Sequence, residues 1–410
     1  MLDNKKIYDY INKIKQQKKI DVYSVINTTL IASPYLTNFP NELIFNKYKK
    51  ESKLKLFVVN AIKFYAFHFV HFIFFIRTFF YYQFLYKKPK YEIVKNALVL
   101  DVYFLVDRII EDGKLHETYF SSLYDLLKKK NIDFVFLPRL LGLSVNPLKA
   151  HQQLKYFFKI INKDHNNFLF EFELLSLKDF FYLIWLILCY PFRTLRLIAK
   201  EESEDDNIFN INLLKDISNQ GIDSFSRYIF GRNISKIRNI NKIYSWSEFQ
   251  NLERSFNYAI RKDSNIKIFA CQFYINYPAY FSSVVQDIDE LLGYAPHKVL
   301  VNGKEYIVDN NIDYQLGVSL RYNKVFKYKN IHTILCAAMI EGNVNSYLDE
   351  INWVKLFRVN FLANINLINS IYDLKKKNEK LNKIIVFSGG GATNSFKEFP
   401  IYSVTKTAIV

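Results

Sequence analysis

The sequence predicts an α/β protein with a parallel sheet, on three observations. Ala97 to Phe104 is an apolar, branched run of strand length. Tyr119, Leu123, Leu126 and Leu127 then share one face of a helix running from about Thr118 to Lys130. Ile132 to Leu137 is a second strand-like run, which Pro138 should halt. A strand, a helix and a strand in such close order make a βαβ unit, whose strands lie parallel.

The residues before this unit, 1–95, read as a basic, aromatic-rich helical region. Met1 to Lys19 is charged throughout and lacks the apolar core of a signal peptide. Phe64 to Ile76 is apolar and aromatic, contains His68 and His71, and is closed by Arg77; a companion run, Phe180 to Phe192, is closed by Arg193 and Arg196. Each is about 13 residues long, against the roughly 20 that a spanning helix needs. Basic flanks suit helices lying in a membrane interface, and buried core helices are the equal alternative. His68 and His71 share a helical face with no third ligand near them in sequence, so they read as packing rather than as a metal site.

After the βαβ unit the acidic run Glu201 to Asp206 reads as a solvated linker or loop that closes the second aromatic helix. Ser245-Trp246-Ser247-Glu248 has the spacing of a capping box, with Glu248 as the partner of Ser245. The helix it opens would turn Phe249, Leu252, Phe256 and Ile260 inward. Ile266 to Phe273 and Lys298 to Val301 read as further strands.

Half of the 410 residues are hydrophobic, enough for packed cores. The formal charge of +17 favours phosphate-bearing partners: nucleic acid, anionic lipid or a nucleotide-activated substrate. No basic recognition helix, zinc-finger spacing or RNA-binding aromatic signature accompanies it, which argues against nucleic acid. Cys189, Cys271 and Cys336 stand far apart and form neither a metal spacing nor a disulfide framework. The expected location is the cytoplasm, with peripheral contact at the inner face of the membrane.

Four segments carry a first resemblance: Trp246-Ser247-Glu248-Phe249-Gln250, Cys271-Gln272-Phe273-Tyr274, the run from Gly293 to Lys304, and Gly317-Val318-Ser319-Leu320-Arg321-Tyr322. Together they resemble bacterial surface-carbohydrate biosynthesis proteins of glycosyltransferase type. The resemblance implies a Rossmann-like acceptor-side domain over 96–326, and a nucleotide-sugar domain that should begin near Gly317 but does not follow. Glu248 and His297 are the titratable candidates for a carbohydrate site. Each has a plainer reading, as a cap partner and as a polar turn residue.

The region 327–410 has a different character. The strand-like run Ile331 to Ala338 leads into a helix with Trp353, Phe357, Asn360, Asn364 and Ile368 on one face. Lys383 to Ser388 is another strand-like run, followed by Gly389-Gly390-Gly391-Ala392-Thr393 and then by Tyr402 and Lys406, four residues apart. This order resembles the catalytic segment of short-chain dehydrogenases/reductases, and so implies a partial doubly wound α/β segment with NAD or NADP as cofactor.

The chemistry suits the residue types. Hydride transfer at a carbinol carbon needs a proton moved on the oxygen, and a phenol with a pKa near 10 is a poor base at neutral pH. Lys406, one helical turn from Tyr402, would favour the phenolate. By the resemblance Lys406 also binds the nicotinamide ribose, Ser388 bonds the substrate oxygen, Asn360 anchors a water, and Ala337 and Ala338 stand beside the cofactor. Two departures stand out: Cys336-Ala337-Ala338-Met339 replaces the family's Asn-Asn-Ala-Gly, and Ser388 lies fourteen residues before Tyr402 where the family has thirteen. The glycine-rich turn that receives a dinucleotide's pyrophosphate is missing, because apart from Gly389 to Gly391 the 11 glycines are scattered singly.

A fusion is therefore expected, joined near residues 322–330, of the kind a recombined reading frame would give. Three functions follow: an oxidoreductase acting on a sugar or nucleotide-sugar, a glycosyltransferase-like protein lacking its donor domain, and a non-catalytic protein of the membrane surface.

Overall fold

The computed structural model describes residues 2–17, 20–45, 48, 51–80, 97–115, 117, 119–120, 123–144, 146–163, 167–273, 283–317, 333–336 and 383–386. The chain divides into two compact units, Met1–Asn323 and Lys324–Val410.

The first unit begins with helices α1 (Leu2–Lys15), α2 (Val22–Asn27), α3 (Thr29–Ala32), α4 (Phe39–Phe45) and the long α5 (Lys53–Phe80). Strand β1 (Ala97–Leu105) follows, then α6 (Val106–Asp112), α7 (Leu123–Lys129), β2 (Phe134–Leu141), α8 (Pro147–Ile161) and β3 (Asn167–Phe168). Three helices come next: α9 (Leu177–Thr194), α10 (Glu204–Asp216) and α11 (Ile222–Ile234). The unit closes with β4 (Ile240–Trp246), α12 (Asn251–Asp263), β5 (Lys267–Gln272), α13 (Asp287–Leu291), β6 (Lys298–Val301) and β7 (Tyr314–Leu316).

The seven strands form one sheet in the order β3-β2-β1-β4-β5-β6-β7, every pairing parallel. This is a Rossmann-like α/β fold, as the βαβ pattern predicts. Alternate residues of β1 feed opposite faces. Leu100, Val102 and Phe104 pack with α6 and α8 through Val106, Ile109 and Leu154, whereas Ala97 and Val99 pack with α12 through Phe256 and Ile260. A third core joins Ile7, Ile26 and Phe64 of the N-terminal helices to Ala270, Val299 and Val301 of the sheet.

Several sequence expectations need correction. Strand β2 does not stop at Pro138, which pairs with Val102 inside it. The carbonyl of Phe136 accepts from Leu169 N–H on the β3 side. Pro138, two residues on, faces the same side past the end of β3, so its missing N–H removes no ladder bond. The acidic run is not a loop throughout: Ser203 caps α10, its hydroxyl accepting from Asp206 N–H, and Glu204, Asp205 and Asp206 form the first turn. Acids there suit the positive end of the helix dipole. The box expected at Ser245 and Glu248 also slips. Ser245 and Trp246 stay in β4, and the box is formed by Gln250 with Glu253.

The two aromatic runs lie within longer helices than their apolar stretches suggest. Helix α5 has 28 residues and α9 has 18, long and apolar enough by length and composition to cross a membrane. The flanking Lys53, Lys55 and Arg77 are simply parts of the α5 helix.

In the second unit β8 (Thr333–Cys336) pairs parallel with β9 (Lys383–Val386), Thr333 opposite Lys383 and Cys336 opposite Val386. Both lie within the strand-like runs read from the sequence.

Candidate functional site

The crossovers from β1 and β4 leave for opposite faces, since α6 packs on one side of the sheet and α12 on the other. Where neighbouring crossovers part in this way, an open parallel sheet leaves a crevice outside its carboxyl edge, the usual ligand position in such folds. The candidate site is built around that point.

Under it lies a buried ion network. Asp101 of β1, fully buried, faces Ser245 of β4 in register, and Ser245 donates its hydroxyl to Oδ2 at 2.7 Å. Arg227 of α11 donates from Nη2 to the same oxygen at 2.8 Å and also pairs with Glu171. Arg139 of β2 lies 3.2 Å from Asp101 Oδ1 through Nε, pairs with Glu253 of α12 through Nη1, and donates to the Trp246 carbonyl through Nη2. Its guanidinium covers the Tyr103 ring, 3.9 Å from the centroid. Five elements are thereby tied together under the carboxyl end of the β1–β4 pair.

The charges in this network do not cancel, as three carboxylates face two guanidiniums. Burial alone would raise the Asp101 carboxyl, but Arg139, Arg227 and the Ser245 hydroxyl hold it below the ordinary carboxylate value. For Glu253 and Glu171 burial prevails over their arginine partners, and both stand above the ordinary value. None of these five charged residues stood out in the sequence as a site residue. The available signal was a charge inside each apolar strand, Asp101 in ALVLDVYFL and Arg139 in FVFLPRLL, since a charge so placed must find a partner.

The β4–α12 loop, residues 247–250, lies at the carboxyl edge of the sheet. Phe249 takes φ +57, a left-handed conformation uncommon for a bulky residue. Its ring is fully buried and Arg254 covers it at 4.4 Å, with Arg254 Nε donating to the Phe249 carbonyl at 2.8 Å. Backbone held in this way marks an over-determined loop. The consequence is that Glu248 stands exposed at the carboxyl edge, steadied by a 2.8 Å bond from Gln250 Nε2 to its Oε2.

His297 lies elsewhere. It precedes β6, and its Nδ1 accepts the Ile268 N–H at 3.1 Å near the start of β5. In an all-parallel sheet that is the amino edge, so the structure does not bring His297 and Glu248 together. Its ring is held below the ordinary histidine value, at about 4, first by burial and then by Arg261 and Lys267. His68 is buried, stacks on Phe64 at 3.9 Å and bonds the Phe64 carbonyl, while His71 stacks on Phe67. Among the described residues no three or more His, Cys, Asp or Glu side chains gather as a metal site.

The first unit offers a dinucleotide no cradle at the turn after β1. Helix α6 starts at Val106, directly after Leu105, with no glycine between them, and the Val106 side chain is fully buried. A pyrophosphate needs backbone free of side chains there. Asn360, Ser388, Tyr402 and Lys406, with Ala337 and Ala338, lie outside the described residues.

No family model matches this chain, and neither the curated proteins nor the solved structures contain a match to it.

Proposed function

We propose that this chain acts on a sugar or nucleotide-sugar in the building of a bacterial surface polysaccharide, with the first unit working at the carboxyl edge of its sheet. The observation that carries this reading is the divergence of β1 and β4 over a buried ion network, which leaves the carboxylate of Glu248 exposed on a held loop. The glycosyltransferase-like segments give the substrate class.

Glycosyl transfer to a hydroxyl forms a bond from the acceptor oxygen to the anomeric carbon while the nucleoside diphosphate leaves with the bonding pair. The acceptor proton must go to a base, and Glu248 is placed to take it. The test is transfer of labelled sugar by the full chain, supplied with uridine-, guanosine- and thymidine-diphosphate sugars and oligosaccharide acceptors. Glu248→Gln should lower transfer by about 10²–10⁴-fold with the fold retained. Equal rates would remove Glu248 from the reaction.

A second reading is favoured by the parallel β8–β9 pair: residues 327–410 as an oxidoreductase segment with Tyr402 as proton donor or acceptor, Lys406, Ser388 and Asn360 beside it, and NAD or NADP as cofactor. The missing glycine turn weakens cofactor positioning, which accounts for roughly 7–11 kcal/mol of such barriers. The chain alone should therefore show no nicotinamide-dependent turnover. Turnover that Tyr402→Phe abolishes would restore oxidoreduction as the main activity.

A further inference from the structure

Helices α5 and α9 lie side by side and antiparallel. Phe57 meets Phe192 at 5.8 Å between ring centroids, Tyr65 donates to the Leu188 carbonyl at 2.8 Å, and Phe79 meets Phe180 at 4.5 Å. One side of the pair is fastened to the body of the first unit. Phe64, Phe75 and Tyr190 are buried there, and Ser218 donates its hydroxyl to Asn60 at 3.2 Å.

The other side is open. On α9, Leu177, Phe181, Trp185, Leu188 and Phe192 recur every three or four residues, and all five are exposed, Phe181 to 74%. On α5, Val58, Ile62, Phe69 and Ile73, spaced four, seven and four residues apart, share one helical face and are exposed, Phe69 to 71%. Two adjoining apolar faces of this extent exceed the scattered exposed hydrophobics of an ordinary soluble surface.

We propose that this face docks the chain on the surface of an anionic bilayer, with both helices lying in the plane of the membrane. Charge complementarity identifies the occupant. The face ends in cations at both limits: exposed Lys55 and Arg196 at one, and Arg77 and exposed Lys178 at the other, with exposed Lys63 along its length. Nearby Glu201 and Glu202 are engaged by Lys53 and Lys200. Apolar side chains with Trp and Phe between cationic ends match the acyl–headgroup boundary of a membrane carrying negative lipid.

The same ends argue against a second copy of this chain as the occupant, because stacking two such faces sets cations against cations in either orientation. The fastened side argues against crossing the bilayer. Asn60 and Ser218 bond there and α5 packs against α10 and α11, so hydrocarbon could not surround the helix without tearing it from the body.

The experiment is sedimentation of the full chain with phosphatidylglycerol-containing vesicles and with pure phosphatidylcholine vesicles, at low and at high salt. The wild-type chain should sediment with the anionic vesicles and be released in part by salt. Phe181→Glu with Trp185→Glu should cut binding by about tenfold or more while the far-ultraviolet spectrum stays unchanged; Phe69→Glu alone serves if the double variant unfolds. Lys63→Glu with Lys178→Glu should remove the preference for anionic lipid. Three outcomes overturn the proposal: carbonate-resistant, salt-independent retention, which means a spanning helix; a dimer that the same substitutions dissociate, without vesicle binding; or no vesicle binding at all. Sugar transfer is read separately, so neither result stands in for the other.

Discussion

Ser245 on β4 donates its hydroxyl to Asp101 on β1 at 2.7 Å, across the strand pair where the crossovers of the sheet part. That bond belongs to a network in which Arg139 touches Asp101, Glu253 and the end of β4. Removing one partner of a buried ion pair strands the others without water. Arg139→Met should therefore lower stability by about 3–5 kcal/mol, and Ser245→Ala by about 1–3 kcal/mol, both read from urea unfolding. A neutral Arg139→Met would mean that the acids are protonated and the network idle.

His297 should make the first unit acid-sensitive. Its folded pKa of about 4 lies below the ordinary 6.5, so between those values the unfolded chain binds more protons. Stability from this group is present above pH 6.5 and is lost as pH falls toward 4. Protonation also takes away the lone pair that accepts the Ile268 N–H. In His297→Asn the slope of stability against pH should flatten in that window; an unchanged slope would mean the ring titrates normally.

Asp216 should act with the opposite sign. Burial raises its carboxyl to about 6, ahead of the Leu30 N–H bond that lowers it. Between the ordinary 3.8 and about 6 the folded chain binds more protons, so this group costs stability as pH rises through the window. The interval corresponds to about 3 kcal/mol. Asp216→Asn should be more stable than the wild type above pH 6 and lose that advantage near pH 4, by thermal unfolding across pH.

Gly231 sits where α11 crosses α12. A Cβ there would lie 2.8 Å from the Ala259 Cβ and 2.8 Å from the Phe256 carbonyl oxygen. Neither neighbour can swing aside, so Gly231→Ala should cost about 1–3 kcal/mol through overpacking. A neutral result in chemical denaturation would mean that the helices part more easily than their packing suggests.

The sheet was readable because β1, β5 and β6 are strand-length apolar runs, and buried parallel strands carry that signature. Ends were harder to read where a side chain has two roles. Pro138 reads as a stop unless it is known that β3 covers only Val135 and Phe136. Ser245 and Glu248 have the spacing of a cap, but the pairing of Ser245 with Asp101 holds it in the strand. Glu248 is legible as a titratable candidate within the glycosyltransferase-like segment, and the plainer reading of it, as the cap partner of Ser245, is the one the structure removes, since the box is made by Gln250 and Glu253. The network beneath it was missed because Asp101, Arg139 and Arg227 are far apart in sequence and only the sheet order joins them. The separation of His297 from Glu248 likewise follows from strand direction, which no local motif reveals.

The proposed working face of the first unit is the carboxyl edge between β1 and β4. Amide hydrogen exchange of the full chain, with and without uridine-, guanosine- and thymidine-diphosphate sugars, locates a bound ligand whether or not turnover occurs. Protection is expected at residues 247–254 and 105–109, around the Glu248 loop and the start of α6. Protection confined to the amino edge, at residues 239–242 and around His297, would contradict that placement, as would no protection with any of these sugars.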